Sequence, residues 1–279
     1  MTASTGPSTA PVAVRARVLD GRAERGRPAA RAVPVVLAAA AITAQVVYPL
    51  VGGQARDAVT IATVVAFSAA SLSHAVVHHG WRVGVAIGAV FAGGGLAVEL
   101  LGVATGFPFG DYAYDQSRLG PTVGEVPLVI PLAWTMLGYP ALVVARLTAS
   151  SRLVGTAVGA IALAAWDLFL DPQMVAEGYW RWSSAGPHLL DGIPATNYAA
   201  WLGTAWLMMM ASWHLTGAWT PDRVDLRVPV ALYVWTWAGS ALAHAAFFDL
   251  PQSALYGGVG MGVVVVAALV RTRTRPDGT

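Results

Sequence analysis

Long apolar runs broken by short polar stretches fill the chain from about residue 33 to 270. Windows of about 17–25 mostly apolar residues, the length at which a helix crosses a hydrocarbon core, fall at 33–52, 57–76, 83–104, 128–148, 152–171, 196–217, 228–248 and 253–270. The pattern predicts an all-α, polytopic transmembrane helical bundle of about 8 spans, or 7 if the glycine-rich last window is discounted. Two breaks are long, Thr105 to about Pro127 and Pro172 to about Thr196. Both fall on one side of the membrane if the spans alternate, and a face built from two such loops is the expected functional mouth. No internal repeat and no second soluble domain is visible.

Inside the third window, Gly84, Gly88, Ala92, Gly95, Gly102 and Gly106 recur in steps of three or four, with Glu99 filling the gap. That is one face of a helix, and small residues there let membrane helices approach closely. The fifth window repeats the scheme with Gly155, Gly159, Leu163, Asp167 and Asp171, and Pro172 is expected to end the helix. At about 1.5 Å per residue, Glu99 lies roughly 7 Å, Asp167 roughly 6 Å and Trp134 about 9 Å below the mouth, so the three share one layer.

Composition removes several function classes. A chain that is 56% hydrophobic and 11% charged cannot cover a water-soluble surface. All 17 basic residues are arginine, and alternating spans leave only Arg56, Arg118 and Arg181 on the loop-rich side. By the positive-inside rule both termini are then cytoplasmic, and the protein is expected as a multi-pass protein of the cell membrane. The pI near 9.1 follows from that orientation, and no nucleic-acid partner is expected. Residues 1–31 read as a disordered cytoplasmic tail, 32–271 as a single transmembrane domain and 272–279 as a second short tail. The absence of cysteine excludes disulfides, thiol nucleophiles and cysteine-held metals, and the absence of lysine excludes a retinal Schiff base.

An intramembrane carboxyl costs about 2.5–3.5 kcal/mol on insertion scales, so Glu99 and Asp167, the two carboxylates set inside apolar windows, are the first candidates for chemistry. An interhelical hydrogen bond is the plain alternative for each. Asp171, next to Pro172, also fits a helix-end turn, nearer water. Trp134, Trp166, Tyr112, Tyr114, Trp180 and Trp182 gather at the same level or just above it, and also fit an interfacial aromatic belt. His74, His78 and His79 form an HxxxHH box, but di-iron sites need several such boxes, and the other histidines, His188, His214 and His244, are scattered. No metal site is predicted.

Residues 102–140, GVATGFPFGDYAYDQSRLGPTVGEVPLVIPLAWTMLGYP, with AAWDLFLDPQMVAEGYWRW at 164–182 and GIPATNY at 192–198, closely resemble the carotenoid-biosynthesis membrane protein family, which includes carotenoid 1,2-hydratases. The resemblance covers about residues 83–215. It implies addition of water to the terminal double bond of an acyclic carotenoid, giving a tertiary alcohol with no cofactor. The substrate would lie within the bilayer among membrane lipid, and other carotenoid-pathway enzymes are possible partners.

Such a hydration needs a proton donor, shelter for a tertiary carbocation and a delivered water. A carboxyl in apolar surroundings keeps its proton and can act as general acid, which fits Asp167 or Glu99. Asp171 would orient the water or take its proton. Aromatic faces stabilise a cation by roughly 0.5–2 kcal/mol per ring, which fits the six rings, and Asn197 of the GIPATNY motif joins them as a substrate contact. A carotenoid cyclase would begin with the same protonation, and a proton-coupled carrier would use the same acids as relay groups.

Overall fold

The computed structural model describes residues 10–274 except 150, 185, 191 and 218–224; side chains are described from Ala29 to Arg271. Asp191, in the second long loop, therefore lies outside the described part. The described chain is mostly helical: α1 (Ala10–Val47), α2 (Gly53–His79), α3 (Trp81–Gly88), α4 (Gly94–Thr105), α5 (Val129–Thr148), α6 (Arg152–Ala176), α7 (Ala195–Leu215), α8 (Arg227–Ala246) and α9 (Pro251–Thr274). A helix stands at each of the eight predicted windows. Six segments are long and apolar enough to cross a membrane: Ala29–Leu50, Gly53–His79, Trp81–Thr105, Val129–Thr148, Arg152–Ala176 and Pro251–Arg271. The helices at the remaining two windows, α7 and α8, are not among them. Helix α1 begins at Ala10, within the expected tail, and its membrane-length part starts at Ala29.

Helix α5 is the axis of the bundle. Its membrane-length window is 94% buried, and α2, α4, α6, α7, α8 and α9 all pack on it. It carries Pro140 inside the helix, as α6 carries Pro172. A proline removes the N–H that would pair with the carbonyl four residues earlier, and in a membrane that carbonyl needs another donor. Neighbouring serines provide it. Ser71 of α2 donates to the Met136 carbonyl at 2.9 Å, and Ser253 of α9 donates to the Leu168 carbonyl. Pro172 was expected to end its helix, yet α6 runs on to Ala176 because this tertiary hydrogen bond replaces the missing one.

The third predicted window is not one regular helix. A π-helical turn, Ala89–Gly93, separates α3 from α4 and rotates the small-residue face. Before the turn, Gly84 and Gly88 face Val76 and Leu72 of α2; after it, Gly95 lies on the Trp134 ring and Gly102 on Tyr112 and Phe109. Gly106, placed by spacing on that face, instead adopts φ 73° as the cap that ends α4.

The two long connections pair with each other. Strands β1 (Tyr112–Tyr114) and β4 (Trp180–Trp182) run antiparallel, with Tyr112 opposite Trp182 and Tyr114 opposite Trp180. Between them lie β2 (Thr122–Val123) and β3 (Val126–Pro127), a separate antiparallel pair. Side chains alternate along a strand, so Tyr112, Tyr114, Trp180 and Trp182 share one face while Ala113 and Arg181 take the other. At the face where the sequence suggested a functional mouth, the two loops pair into a cap. Arg118 fastens it: the guanidinium bonds Asp57 at the start of α2 and the Glu177 carbonyl, and sits 4.2 Å from the Tyr179 ring centre. The bond to Asp57 raises the Arg118 pKa above the ordinary guanidinium value, so this cation stays charged.

Candidate active site: two carboxyl centres on one aromatic cavity

Beneath the cap lies a cavity of about 170 Å³, walled by α1, α2, α4, α5, α6, α7, α8 and the face of β1 and β4. Glu99 and Asp171 both line it, with Tyr112, Tyr114, Trp134, Trp166, Trp180, Trp182 and Asn197. One cavity thus gathers every residue of the sequence-derived set except Asp167, which stands behind Asp171 on the same face of α6.

Glu99 is 5% exposed and accepts from three side chains on two elements, β1 and α5. Tyr112 and Tyr114 donate to its Oε2 at 2.6 and 2.7 Å, and the Trp134 indole donates to Oε1 at 3.0 Å. Gly95, one turn earlier on α4, lets the Trp134 ring lie against the helix backbone. Burial, and next the Glu99 charge, push the two tyrosine hydroxyls well above the usual phenol range, so both remain O–H donors.

The second centre is the Asp167 and Asp171 pair. The four-residue step on α6 stacks the two carboxyls, and they lie within hydrogen-bonding range of each other. Asn197, at the start of α7, spans them, its Nδ2 donating to Asp167 Oδ2 at 2.9 Å and to Asp171 Oδ2 at 2.5 Å. Trp180 of the cap donates to Asp171 Oδ1 at 3.0 Å. No N–H or hydroxyl donor reaches the buried Asp167 Oδ1 among the described residues. Asp171, expected nearer water than Asp167, is only 3% exposed because Trp180 covers it. Asn197 turns both amide contacts toward the aspartates, so its described role is to hold the pair.

The aromatic wall has a member that sequence reading missed. Trp201 stacks on Trp134 with ring centres 4.0 Å apart and planes 12° from parallel, and meets Trp166 edge-on at 6.1 Å. Its signal was its place four residues after Asn197, on the same face of α7. Phe109 and Phe169 also line the cavity, as do Tyr48, Trp235 and Phe248 toward α1 and α8. On the opposite side, Tyr112 lies 4.9 Å from Trp182 and Tyr114 lies 5.6 Å from Trp180.

The HxxxHH box lies apart from this cavity. His74 is buried with its ring nitrogens at 2.8 Å from the Tyr139 hydroxyl and 2.8 Å from the Asp225 carbonyl, a contact that ties α2 to α5 and to the start of α8. Among the described residues no group of three or more His, Asp or Glu side chains is placed to hold a metal.

A family model described as "Carotenoid biosynthesis protein" matches residues 57–269. The chain belongs to this family. The match takes in both carboxyl centres, the cap and the whole aromatic wall, and reaches beyond the stretch that carried the resemblance in sequence. With the apolar helices, it marks a membrane protein of carotenoid biosynthesis. The chain is also similar to a bisanhydrobacterioruberin hydratase from Haloarcula japonica, 36% identical over 110 residues. That alignment covers 38% of this chain and 36% of the relative, so the likeness spans about a third of the relative's length. No solved structure matches the chain.

Proposed function

We propose that this protein is a multi-pass enzyme of the cell membrane that adds water to the terminal C=C bond of an acyclic carotenoid, forming a tertiary alcohol without a cofactor. One observation carries the reading: Asp171 of a buried aspartate pair and a separately held glutamate face one aromatic cavity. The hydratase relative supports it. In this reading the chain termini are cytoplasmic and the cap lies on the outer side, as the arginine distribution suggests.

Two carboxyls in hydrogen-bonding range hold a proton between them, since a bond from one to the other requires it. Asp171 presents that proton to the cavity, with Asp167 as the partner it is shared with. Transfer to the less substituted alkene carbon uses the π electrons to form the new C–H bond and leaves a tertiary cation. Trp134, Trp166 and Trp201 present ring faces and edges near that position, where an electron-rich face favours positive charge. A water held at Glu99 by the Tyr112 and Tyr114 cluster supplies the oxygen, and its surplus proton returns to the Asp167 and Asp171 pair that gave up the first. The sum is alkene plus water to alcohol, and the carboxyls end each turnover as they began.

The roles differ from the simplest sequence assignment. Asp171, rather than Asp167, is the member of the pair on the cavity wall, and Glu99 accepts three hydrogen bonds, which suits it to hold the water and not to donate the proton. The test is expression in cells that accumulate an acyclic carotenoid, with mass analysis of the extracted pigment. A hydratase adds the mass of one water per modified end, a cyclase leaves the mass unchanged, and a carrier alters neither mass nor structure. Wild-type conversion by both Asp171→Asn and Glu99→Gln would falsify the acid assignment.

A further inference from the structure

We propose that the seam between α1 and α8 is the binding site for the linear body of the substrate, and that the Gln45 and Trp235 side chains form its latch. This rests on the hydratase reading for the identity of the ligand, a long apolar isoprenoid chain.

The cavity that holds Glu99 and Asp171 is also lined by Gln45, Trp235 and Phe248, so it extends from the carboxyl centres to α1 and α8. A long polyene whose end group sits at the carboxyls has its body directed along that extension and on into the bilayer.

The lining shows where. Of the cavity residues on the α1 and α8 side, Gln45, Trp235, Gly239, Ser240, Ala243 and Phe248 are partly exposed and Tyr48 and Thr236 are buried, whereas most of the carboxyl end is buried. The flanking outward side chains are apolar and exposed: Val46 on α1 is 50% exposed, and Leu242 on α8 is 62% exposed. An apolar chain lying there passes directly from cavity to lipid. The other route, upward through the loops, is shut by paired strands and by the Arg118 contacts.

Among the described residues one polar contact crosses the seam, Trp235 Nε1 donating to Gln45 Oε1 at 2.8 Å. Both residues line the cavity, so this bond closes the passage at rest. Gly239 lies one turn from Trp235, where an added Cβ would touch the indole at 3.4 Å, so the small residue leaves the ring room against its own helix. Ser240 and Ala243 keep the α8 side of the passage narrow in profile. A buried hydroxyl without a partner, Thr63 Oγ1, sits on the same cavity and marks the polar boundary of the passage.

The chain has no cysteine, so a single introduced thiol reports on one position. Ser240→Cys would be labelled in proteoliposomes with a membrane-soluble maleimide, with and without the acyclic carotenoid, beside Leu207→Cys on the exposed face of α7 (63% exposed). The expected result is that the carotenoid slows labelling of Ser240→Cys several-fold and leaves Leu207→Cys unchanged. Adding Gln45→Leu to Ser240→Cys should speed labelling when no carotenoid is present. Equal labelling of Ser240→Cys with and without pigment, in membranes where the wild-type protein forms alcohol, overturns the seam and leaves the hydratase reading standing. Protection in a protein that forms no alcohol supports the seam and overturns the hydratase reading instead. No effect of Gln45→Leu overturns the latch.

Discussion

Trp180 donates its indole N–H to Asp171 across 3.0 Å, so a residue of the capping strand is bonded to a carboxyl deep in helix α6. Closing the cap and setting the geometry of the aspartate pair are therefore one event. Removing the donor leaves Asp171 Oδ1 without its described partner at a cost of about 1–3 kcal/mol. Trp180→Phe should lower both the unfolding temperature in detergent and the yield of hydroxylated pigment. An unchanged yield would separate the cap from the chemistry.

Asn197 is the shared donor of the pair, and its loss should affect both aspartates at once. In Asn197→Leu the two carboxyls keep their contact with each other but lose the amide that fixes their spacing. Conversion should fall as far as in Asp171→Asn, with the protein still assembled in the membrane, as read by pigment mass analysis alongside size-exclusion chromatography. Wild-type turnover in this variant would mean that the pair needs no third residue.

Gly95 tests the glutamate centre from its far side. A Cβ placed there would meet the Trp134 ring at 2.7 to 3.0 Å, and that ring is held against Trp201 and cannot easily retreat. Gly95→Ala should displace the indole, break its bond to Glu99 and reduce conversion, with a change in tryptophan fluorescence as the structural readout. Gly258, whose added Cβ would touch only Ala241 at 3.9 Å, is the control expected to tolerate alanine.

The prolines give a thermodynamic cycle. Ser253→Ala removes the donor to the Leu168 carbonyl and should cost about 1–3 kcal/mol, the price of an unsatisfied buried group. Pro172→Ala restores the backbone N–H that this carbonyl would otherwise accept, so adding Ser253→Ala to Pro172→Ala should be nearly neutral. Thermal unfolding of the four proteins measures the coupling. Equal losses in both backgrounds would show that the hydroxyl does not stand in for the proline.

Arg118 tests the cap as a lid. Arg118→Ala removes bonds to Asp57 and to the Glu177 carbonyl together with its stacking on Tyr179. Hydrogen exchange at the β1 and β4 amides should speed up, while the amides of α5 keep their protection, because that helix is buried on every side.

The positions of the helices and the burial of Glu99 and Asp167 were legible early, for reasons that belong to single residues and their spacing. A carboxyl in an apolar window is conspicuous because lipid tolerates it poorly, and a step of four places Asp167 and Asp171 on one face whatever surrounds them. The register of α4 was not legible, because the π turn at Ala89–Gly93 arises from fitting Phe91 against Gly138 on α5. Pro172 misled for a related reason: the helix survives it only through a serine that lies 81 positions later in the chain.

The chain by itself determined an apolar helical bundle, the face each acid occupies and the family to which its motifs point, since these follow from hydropathy, periodicity and local spacing. Tertiary structure decided that Asp171 and not Asp167 lines the cavity, that the loops pair into a cap over it, and that Trp201 completes the wall. Those outcomes depend on hydrogen bonds and ring contacts between segments far apart in sequence. Such contacts exist only after the helices have packed, because a donor and its acceptor on different helices meet only when both are held in place.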